Sequence, residues 1–425
     1  MLAARPCRRD YDLVAVGLRA SMTRVMFRDE LLDAQLLRVL GSAAYGGADI
    51  GECLQAARDV REDDLGSWYD AWHGLGDRVA TLARDEEAAD RAESARLAYL
   101  RACSYHRTSG VMLLGAPIDP RAVAAHRAQK AAFRAAMRLT PLPVEVVDIP
   151  FDSVRLPGYF LRPTDAAGRR ATVILIGGYD GTSEELYLLT GAAALERGYN
   201  VLAVDGPGQG SALIEHGLTL RPDWENVVAP LIDHLVARPE VDPGRIAVIG
   251  LSLGAHLAPR AASGEPRLAA CIADCGSYDL YAAALERMPS PLARGLRDGK
   301  LWARLAIRPI LHLLVRKPTA GWALRRGMLV HGVPTPLAYL DCLREFTLHG
   351  YAERITCPTW VCNADGDEIG ASAPQLVNAL SCPKVFVQFT TADGAGDHCE
   401  QGARTLYHAR SFGWLDHLLQ PHQMG

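Results

Sequence analysis

Two hydrophobic patterns divide the chain near residue 143. Before that point, apolar residues recur at three- and four-residue spacing, which is typical of helices with one buried face. The helical stretches are residues 29–40, 64–82, 85–100 and 121–139, and prolines stand on both sides of the last one. The pattern predicts an all-helical N-terminal domain over residues 1–142, with roughly four to six helices.

After residue 143, short and continuous apolar runs alternate with longer amphipathic stretches. The predicted strands are residues 145–151, 154–161, 171–177, 200–205, 245–250, 268–274, 359–363 and 384–390. The predicted helices are residues 183–198, 223–238, 253–262 and about 401–419. Continuous apolar strands separated by helices are typical of a parallel sheet that is covered on both faces. We therefore expect an α/β domain over residues 143–425, with a mostly parallel sheet and a helical insertion at about residues 278–350, where the alternation stops.

Composition narrows the class of protein. The chain has 425 residues, of which 49% are hydrophobic and 22% charged, so it can bury a large core and is not mostly disordered. Its net charge of −4 lacks the basic excess that nucleic-acid and anionic-membrane binders usually carry. No apolar run approaches the ~18 residues of a membrane span. We expect a cytoplasmic protein that binds neither nucleic acid nor membrane.

The ten cysteines are scattered, and no two of them form a CxxC pair. An HExxH array, which would indicate a zinc site, does not occur either. This distribution predicts reduced and mostly buried thiols, no metal and no cofactor.

The strongest candidate for chemistry is the segment Gly250-Leu-Ser252-Leu-Gly254. It follows a predicted strand and opens a predicted helix. A nucleophile on such a sharp turn has strained backbone geometry, and glycines two residues before and after it relieve the crowding. Ser252 is therefore the candidate nucleophile, and the N–H of Leu253 at the helix start is a candidate oxyanion donor. The competing interpretation is a simple helix-capping serine.

A serine nucleophile needs a base that is oriented by an acid. In this kind of fold the acid follows a late strand, and the histidine lies in the loop after the last strand. Asp367 and His398 occupy those places. Asp365 competes with Asp367 locally, and Asp274 occupies an alternative strand end, so the choice of acid stays open at this point.

The loop Gly177-Gly-Tyr-Asp-Gly181 follows the third predicted strand, where a second oxyanion donor is expected. Its Tyr179 N–H is the candidate. Asp180, Glu184 and Glu185 lie close by in sequence and are more simply explained as charges at a helix N-terminus than as proton-transfer groups. Asp180 and Glu184 are kept as a possible additional site.

Two further features are expected to be structural. The segment Asp205-Gly-Pro-Gly-Gln-Gly210 lacks the lysine and hydroxyl residue of a phosphate-binding loop, so it is interpreted as a turn after a strand. Aromatic residues also recur at roughly helical spacing in the N-terminal domain, where core packing is favoured over a role in lining a pocket. They are Trp68, Tyr69, Trp72, Tyr99 and Tyr105.

Taken together, these motifs resemble those of the α/β-hydrolase superfamily over about residues 145–425. The order GGYDGTSEELY, DGPGQG, GLSLGA, NADGDEI and GAGDHCEQGA behind a long helical region resembles a narrower group. That group contains the 2,6-dihydroxypseudooxynicotine hydrolase of nicotine degradation and fungal polyketide chain-shortening hydrolases. The fermentation–respiration switch protein family, which is esterase-like, is a more distant relative. Ala364 departs from the glycine that many relatives of the superfamily have before the acidic turn.

The resemblance implies a Ser252–Asp367–His398 triad and a homodimer, with the helical domain of residues 1–142 serving as a cap over the active site and in dimerisation. It also implies hydrolysis of a carbon–carbon bond next to a ketone in an aromatic or polyketide-like small molecule. Hydrolysis of an ester, thioester or amide, and acyl transfer or cyclisation through an acyl-enzyme, remain open because the same motifs serve all of them. The intact Ser, Asp and His order argues against a non-catalytic binding protein.

Overall fold

The structure is a computed structural model that describes residues 23–164 and 168–419. The start of the predicted N-terminal domain, with Cys7, and the end of the predicted catalytic domain lie outside the described residues. No disulfide joins the nine cysteines in the described ranges. Among the same residues, no helix is long and apolar enough to cross a membrane.

In the described part of the chain, five α-helices precede the first strand. They are α1 (Glu30–Gly41), α2 (Ile50–Arg58), α3 (Leu65–Ala88), α4 (Ala92–Val111) and α5 (Pro120–Leu139). Aspartates cap several of them, because a short carboxylate accepts hydrogen bonds from the first free backbone N–H groups. Asp29, for example, accepts from the N–H groups of Leu31 and Leu32 at the start of α1.

The helix boundaries differ from the sequence prediction in two places. Helix α3 continues six residues past the predicted end at residue 82, and α4 starts at Ala92 rather than at residue 85. The chain turns at Asp90, whose φ is +56°, within a run of charged residues that has no apolar period to reveal a break. Helix α2 was not predicted, since its nine residues are too few to show a clear period.

The sheet has eight strands. They are β1 (Val144–Phe151), β2 (Val154–Leu161), β3 (Arg170–Ile176), β4 (Asn200–Val204), β5 (Val241–Leu251), β6 (Ala270–Asp274), β7 (Thr359–Ala364) and β8 (Lys384–Phe389). Their order across the sheet is β1-β2-β4-β3-β5-β6-β7-β8. The β1–β2 and β2–β4 pairs are antiparallel, and all the others are parallel. The predicted mostly parallel sheet is confirmed.

Helices cover the sheet as the alternation predicts. Those between the strands are α6 (Ser183–Leu186), α7 (Ala192–Glu196), α8 (Gly210–Ile214), α9 (Glu225–Val236) and α10 (Gly254–Ala262). A π-helical turn, Tyr187–Gly191, joins α6 to α7. Between β6 and β7 lie α11 (Leu280–Glu286), α12 (Ser290–Arg297), α13 (Leu301–Leu314), α14 (Trp322–His331) and α15 (Pro336–Cys342). Helix α16 (Ala373–Ala379) lies between β7 and β8, and α17 (Arg404–Leu419) is the last helix in the described residues.

The N-terminal aromatic residues pack as predicted. Trp68, Trp72, Tyr99 and Tyr105 are buried in the hydrophobic core that also includes one face of the sheet. Tyr69 is half-buried and stacks on His73 with ring centroids 4.8 Å apart. The helices before β1 therefore share a continuous core with the sheet, which brings them close to the carboxyl ends of its strands.

Candidate active site

The turn after β5 holds Ser252 in a strained conformation, with φ at +60°. A side chain at Gly250 would collide with the backbone of Gly254, and one at Gly254 would collide with the carbonyl of Ile176 in β3. The two glycines are therefore needed for the turn to close against the neighbouring strand. The N–H of Ser252 donates to the carbonyl of Asp274 at 3.1 Å, which ties the turn to β6.

Three of the predicted site residues form one hydrogen-bonded chain. Nε2 of His398 lies 2.8 Å from Oγ of Ser252. Nδ1 of the same ring lies 2.8 Å from Oδ2 of Asp367. Asp367 also accepts from the backbone N–H groups of Ile369 and Gly370, so its carboxylate is fixed toward the ring. The arrangement has the geometry of a nucleophile, a base and an orienting acid.

The other two candidate acids point elsewhere. Asp365 is exposed and accepts hydrogen bonds from the Gln388 amide and the N–H of Thr391. Asp274 is buried and pairs with Nη1 of Arg404 at 2.6 Å. Only Asp367, of these three carboxylates, has a hydrogen bond to His398 among the described residues.

The environment shifts the pKa values of this group. Burial by itself would lower the pKa of His398, but the negative charges of Asp367 and then Cys399 raise it to about 9. Burial would raise the pKa of Asp367, and the His398 charge together with its hydrogen bonds holds it below its ordinary value instead. The pair therefore favours an imidazolium beside a carboxylate.

The two predicted oxyanion donors lie on the loops beside Ser252. Gly178 packs so closely that an added Cβ would be 2.8 Å from the Cβ of Ser252. Tyr179 follows it directly, and Leu253 follows Ser252. Hydrogen bonds within the described ranges include none from the N–H of Tyr179 or of Leu253. Both N–H groups thus have unused donor capacity next to Ser252.

The acidic residues after β3 belong to a buried ionic cluster that sequence reasoning missed. Asp180 lies 3.2 Å from Arg38 of α1 and 3.5 Å from both Arg107 of α4 and Arg326 of α14. Glu185 lies 2.5 Å from Arg38 and 3.1 Å from Arg107. We name these five residues the arginine–carboxylate cluster. It joins α1, α4 and α14 to the loop beside Ser252.

Glu184 has a separate place. Its carboxylate accepts from the hydroxyl of Tyr159 on β2 at 2.8 Å and is fully buried. The nearby Asp205 is also buried, and this burial, followed by the charge of Glu184, raises the pKa of Asp205 to about 7. The structure thus brings Asp180 near Ser252, while Glu184 belongs to the packing between β2 and the loop after β4.

The loop after β4 is more than a turn. Oδ1 of Asp205 accepts from the N–H of Ser183, and Oδ2 accepts from the N–H of Ser211. The side chain of Gln209 donates to the carbonyl of Gly177 at 2.6 Å. The loop therefore braces the backbone that carries Gly178 and Tyr179, a contact that only the tertiary structure brings about.

Two cavities meet at Ser252. The first, which we call the N-terminal cavity, is lined by Ser252, His398 and the arginine–carboxylate cluster residues Arg38, Asp180 and Glu185. The second, which we call the insertion cavity, is the larger of the two. Its wall is mostly apolar and comes from α11, α14 and the end of α15, with Arg287 and Arg326 as charged groups, and it includes Leu280, Ala284, Ala323, Tyr339, Leu343 and Ile369.

A parallel sheet with a strained serine turn after its central strand defines the hydrolase class of α/β enzymes. Comparison with known proteins agrees, since residues 173–406 match the profile of the Alpha/beta hydrolase family. The chain belongs to the alpha/beta hydrolase family.

The relatives of this chain are fungal hydrolases. It is 33% identical over 413 residues to 20-hydroxy-prefusarin hydrolase FUS2 of Gibberella moniliformis (strain M3125 / FGSC 7600), covering 92% of this chain and 97% of that protein. It is 34% identical over 408 residues to hydrolase LUC6 of Fusarium sp, with the same coverage of 92% and 97%. Among solved structures, 2,6-dihydroxy-pseudo-oxynicotine hydrolase has the same fold, with a TM-score of 0.72 at 22% identity over 90% of this chain and 96% of that one.

Proposed function

We propose that this protein is a serine hydrolase in which Ser252, His398 and Asp367 form the catalytic triad. The observation that carries the proposal is the pair of 2.8 Å contacts that link Ser252 through His398 to Asp367. The unused N–H groups of Leu253 and Tyr179 serve as the oxyanion hole. Among Asp365, Asp274 and Asp367, the hydrogen bond to His398 favours Asp367.

The reaction follows from the positions of these groups. Oγ of Ser252 attacks a carbonyl carbon while Nε2 of His398 takes the hydroxyl proton, and the two N–H groups stabilise the oxyanion. His398 then delivers the same proton to the leaving atom as the bond breaks, leaving an acyl group on Ser252. Water, deprotonated by His398, hydrolyses the acyl-serine to a carboxylic acid. The raised pKa of His398 suits a residue that must hold this proton until a weakly acidic leaving group accepts it.

We further propose that the bond cleaved is a carbon–carbon bond next to a ketone in an aromatic or polyketide-like molecule. The motif order supports this chemistry, and the name of the 33% identical relative refers to a hydrolase of a small organic compound. The insertion cavity supports an aryl or alkyl group at this position, because its wall is mostly apolar. In this mechanism the leaving group is a carbanion in its enolate form, which His398 protonates at carbon to give a neutral ketone.

We also propose that the N-terminal helices, within residues 1–142, cap the active site. The support is the contact of Arg38 and Arg107 with Asp180 and Glu185, which makes α1 part of the wall of the N-terminal cavity and holds α4 against that wall. Removing bulk water from this cavity would strengthen the electrostatic interactions with a developing oxyanion.

Product analysis in ¹⁸O-labelled water tests the reaction. The purified protein is incubated with a panel of aryl 1,3-diketones, aryl esters and acyl thioesters, and the products are identified by mass spectrometry. We expect a diketone to lose its carbon–carbon bond and the new acid to carry ¹⁸O. The Ser252→Ala variant should neither cleave the diketone nor form a labelled acid.

Each of the other outcomes would contradict a particular part of the proposed reaction. Labelled acid from esters or thioesters alone would refute the carbon–carbon specificity and leave an esterase or thioesterase. Transfer of the acyl group to an added alcohol or amine without label would make the protein an acyltransferase. Full turnover by Ser252→Ala would refute the triad.

A further inference from the structure

Two thiols that the proposed reaction does not use lie beside the triad. Sγ of Cys275, after β6, is 3.6 Å from Sγ of Cys399. Sγ of Cys399 is in turn 3.5 Å from Nε2 of His398, the atom that contacts Ser252. The three atoms lie within 4.8 Å of one another. Both cysteines have positive φ, +60° for Cys275 and +52° for Cys399, so their backbones are strained into the positions that bring the sulfurs together.

This triangle has the dimensions of a tetrahedral thiolate–imidazole metal site. With Zn–S bonds of about 2.3 Å and Zn–N bonds of about 2.0–2.1 Å, a tetrahedral ion places two sulfurs about 3.8 Å apart and a sulfur and a nitrogen about 3.5 Å apart. The measured separations are 3.6 Å and 3.5 Å. The Sγ–Sγ distance and the Sγ–Nε2 distance would therefore need to change by no more than a few tenths of an ångström.

The types of donor atom determine which metal ions this group of side chains would bind. Two thiolates and an imidazole prefer soft or borderline cations such as Zn²⁺, whereas Mg²⁺ and Ca²⁺ prefer oxygen ligands. Cys399 and His398 line the N-terminal cavity together with Ser252, so an ion in that cavity has access to two of the three ligands, and Cys275 lies directly behind.

We propose that Cys275, Cys399 and His398 form a Zn²⁺ site that switches the enzyme off. Nε2 of His398 has one lone pair, which binds either the proton of Ser252 or the metal. A bound Zn²⁺ therefore removes the base from the nucleophile, and each thiol gives up its proton as the metal binds. The inhibition rests on the proposed role of His398, whereas the metal binding does not.

Cobalt tests the binding without any substrate. Co²⁺ is titrated into the full-length, reduced protein, and the thiolate-to-cobalt charge-transfer absorption in the near ultraviolet is recorded. We expect one Co²⁺ per chain, displaced by Zn²⁺ and not by Mg²⁺. Cys275→Ser and Cys399→Ser should each weaken the binding by at least about 100-fold, since each removes a ligand of the ion. Cys382→Ser, a half-buried thiol with no contact to these ligands, is the matched control and should bind as the wild type does.

Labelling of Ser252 by a fluorophosphonate probe tests the inhibition. The rate is measured with and without Zn²⁺ and again after chelation, and each variant is compared with its own metal-free rate. We expect Zn²⁺ to slow wild-type labelling at least tenfold, chelation to restore it, and Cys275→Ser to escape the effect.

The two measurements separate failure of the metal site from failure of the proposed function. A missing charge-transfer band, or a band unchanged in Cys275→Ser, overturns the metal site. If the cobalt charge-transfer band is as expected but saturating Zn²⁺ does not slow the labelling of Ser252, His398 is not a ligand, and the proposal is overturned. If Ser252 is never labelled even without metal, the triad is wrong, and the cobalt spectra still decide the metal site.

Discussion

At the scale of single residues, backbone strain concentrates around one point. Ser252, Cys275 and Cys399 all have positive φ, and each follows or faces the carboxyl end of a strand. Such conformations cost on the order of 1–3 kcal/mol each and persist only where surrounding structure enforces them. For Ser252 this enforcement comes from Gly250 and Gly254, which pack tightly against the neighbouring backbone.

The charge of Asp367 should set the pH dependence of the reaction. His398 acts as a base only when it is neutral, and its pKa is raised to about 9, so kcat/KM should rise with pH through the range up to about 9. Asp367→Asn removes the negative charge and leaves burial, which lowers the pKa of His398. The rising limb should therefore move to lower pH, while the maximal rate falls by about 10⁴-fold.

A pH profile of initial rates measures both effects. Asp365→Asn, which changes an exposed carboxylate two residues away, is the matched control and should keep the wild-type profile. If the rising part of the pH profile moved to lower pH in both variants, the assignment of Asp367 as the acid of the triad would be contradicted.

Activity should depend on the absence of a side chain at Gly178. In Gly178→Ala the new Cβ would lie 2.8 Å from Cβ and 3.0 Å from Oγ of Ser252, so the loop or the nucleophile must move. We expect kcat to fall by about 10²–10³-fold, because both the nucleophile and the neighbouring oxyanion donor lose their positions. Gly413→Ala in α17, where a Cβ meets no atom within 4 Å, is the control and should keep full activity.

At the scale of elements, the arginine–carboxylate cluster connects the helices α1 and α4, before β1, with α14, between β6 and β7. Arg38 of α1 and Asp180 are 142 residues apart in sequence and 3.2 Å apart in space. Buried charges of this kind are stable only in the presence of their partners, because the interior cannot hydrate an unpaired carboxylate. Helix α1 is thus held against the active-site loop by charge as well as by its apolar face.

Arg38→Ala should uncouple α1 from the site. The change leaves Glu185 with Arg107 alone and should lower the free energy of unfolding by about 3–5 kcal/mol. Urea unfolding followed by fluorescence measures this, and activity should fall in parallel because the N-terminal cavity opens. Arg91→Ala, which breaks an exposed ion pair with Glu86, should leave the unfolding midpoint unchanged. Equal midpoints for both variants would show that the cluster does not stabilise the fold.

At the scale of the whole molecule, α13 presents several large apolar side chains to solvent. Leu301, Trp302, Leu305 and Leu313 are each more than half exposed. Large exposed apolar patches often mark protein–protein interaction sites. The homodimer expected from the motif resemblance stays a prediction, and this surface, rather than the N-terminal helices, is where we expect the second copy to pack.

Light scattering coupled to size exclusion tests this arrangement. The wild type should have twice the 46.0 kDa mass of one chain, and a Leu301→Glu, Leu305→Glu double variant should have a mass of 46.0 kDa. Ile50→Glu, on an exposed apolar residue of α2, is the matched control for the N-terminal helices and should remain dimeric. Dissociation of the Ile50→Glu variant alone would place the interface on the N-terminal domain.

The sequence by itself determined the order of elements and the positions of the nucleophile turn, the acidic turn and the histidine loop. Buried strands, glycine-flanked turns and capped helices have local signatures, because backbone sterics and hydrophobic periodicity act over a few residues. The domain division at residue 143 and the insertion limits rest on the same local evidence and stay predictions.

Only the tertiary structure decided which groups meet. It brought Asp367 rather than Asp365 or Asp274 to His398, gathered Arg38, Arg107 and Arg326 around Asp180, and placed Cys275 beside Cys399. These pairs are 31 to 146 residues apart in the chain, so no local pattern encodes them. They depend on how the helices before β1 and the insertion pack onto the sheet, which is set by the sum of many long-range contacts.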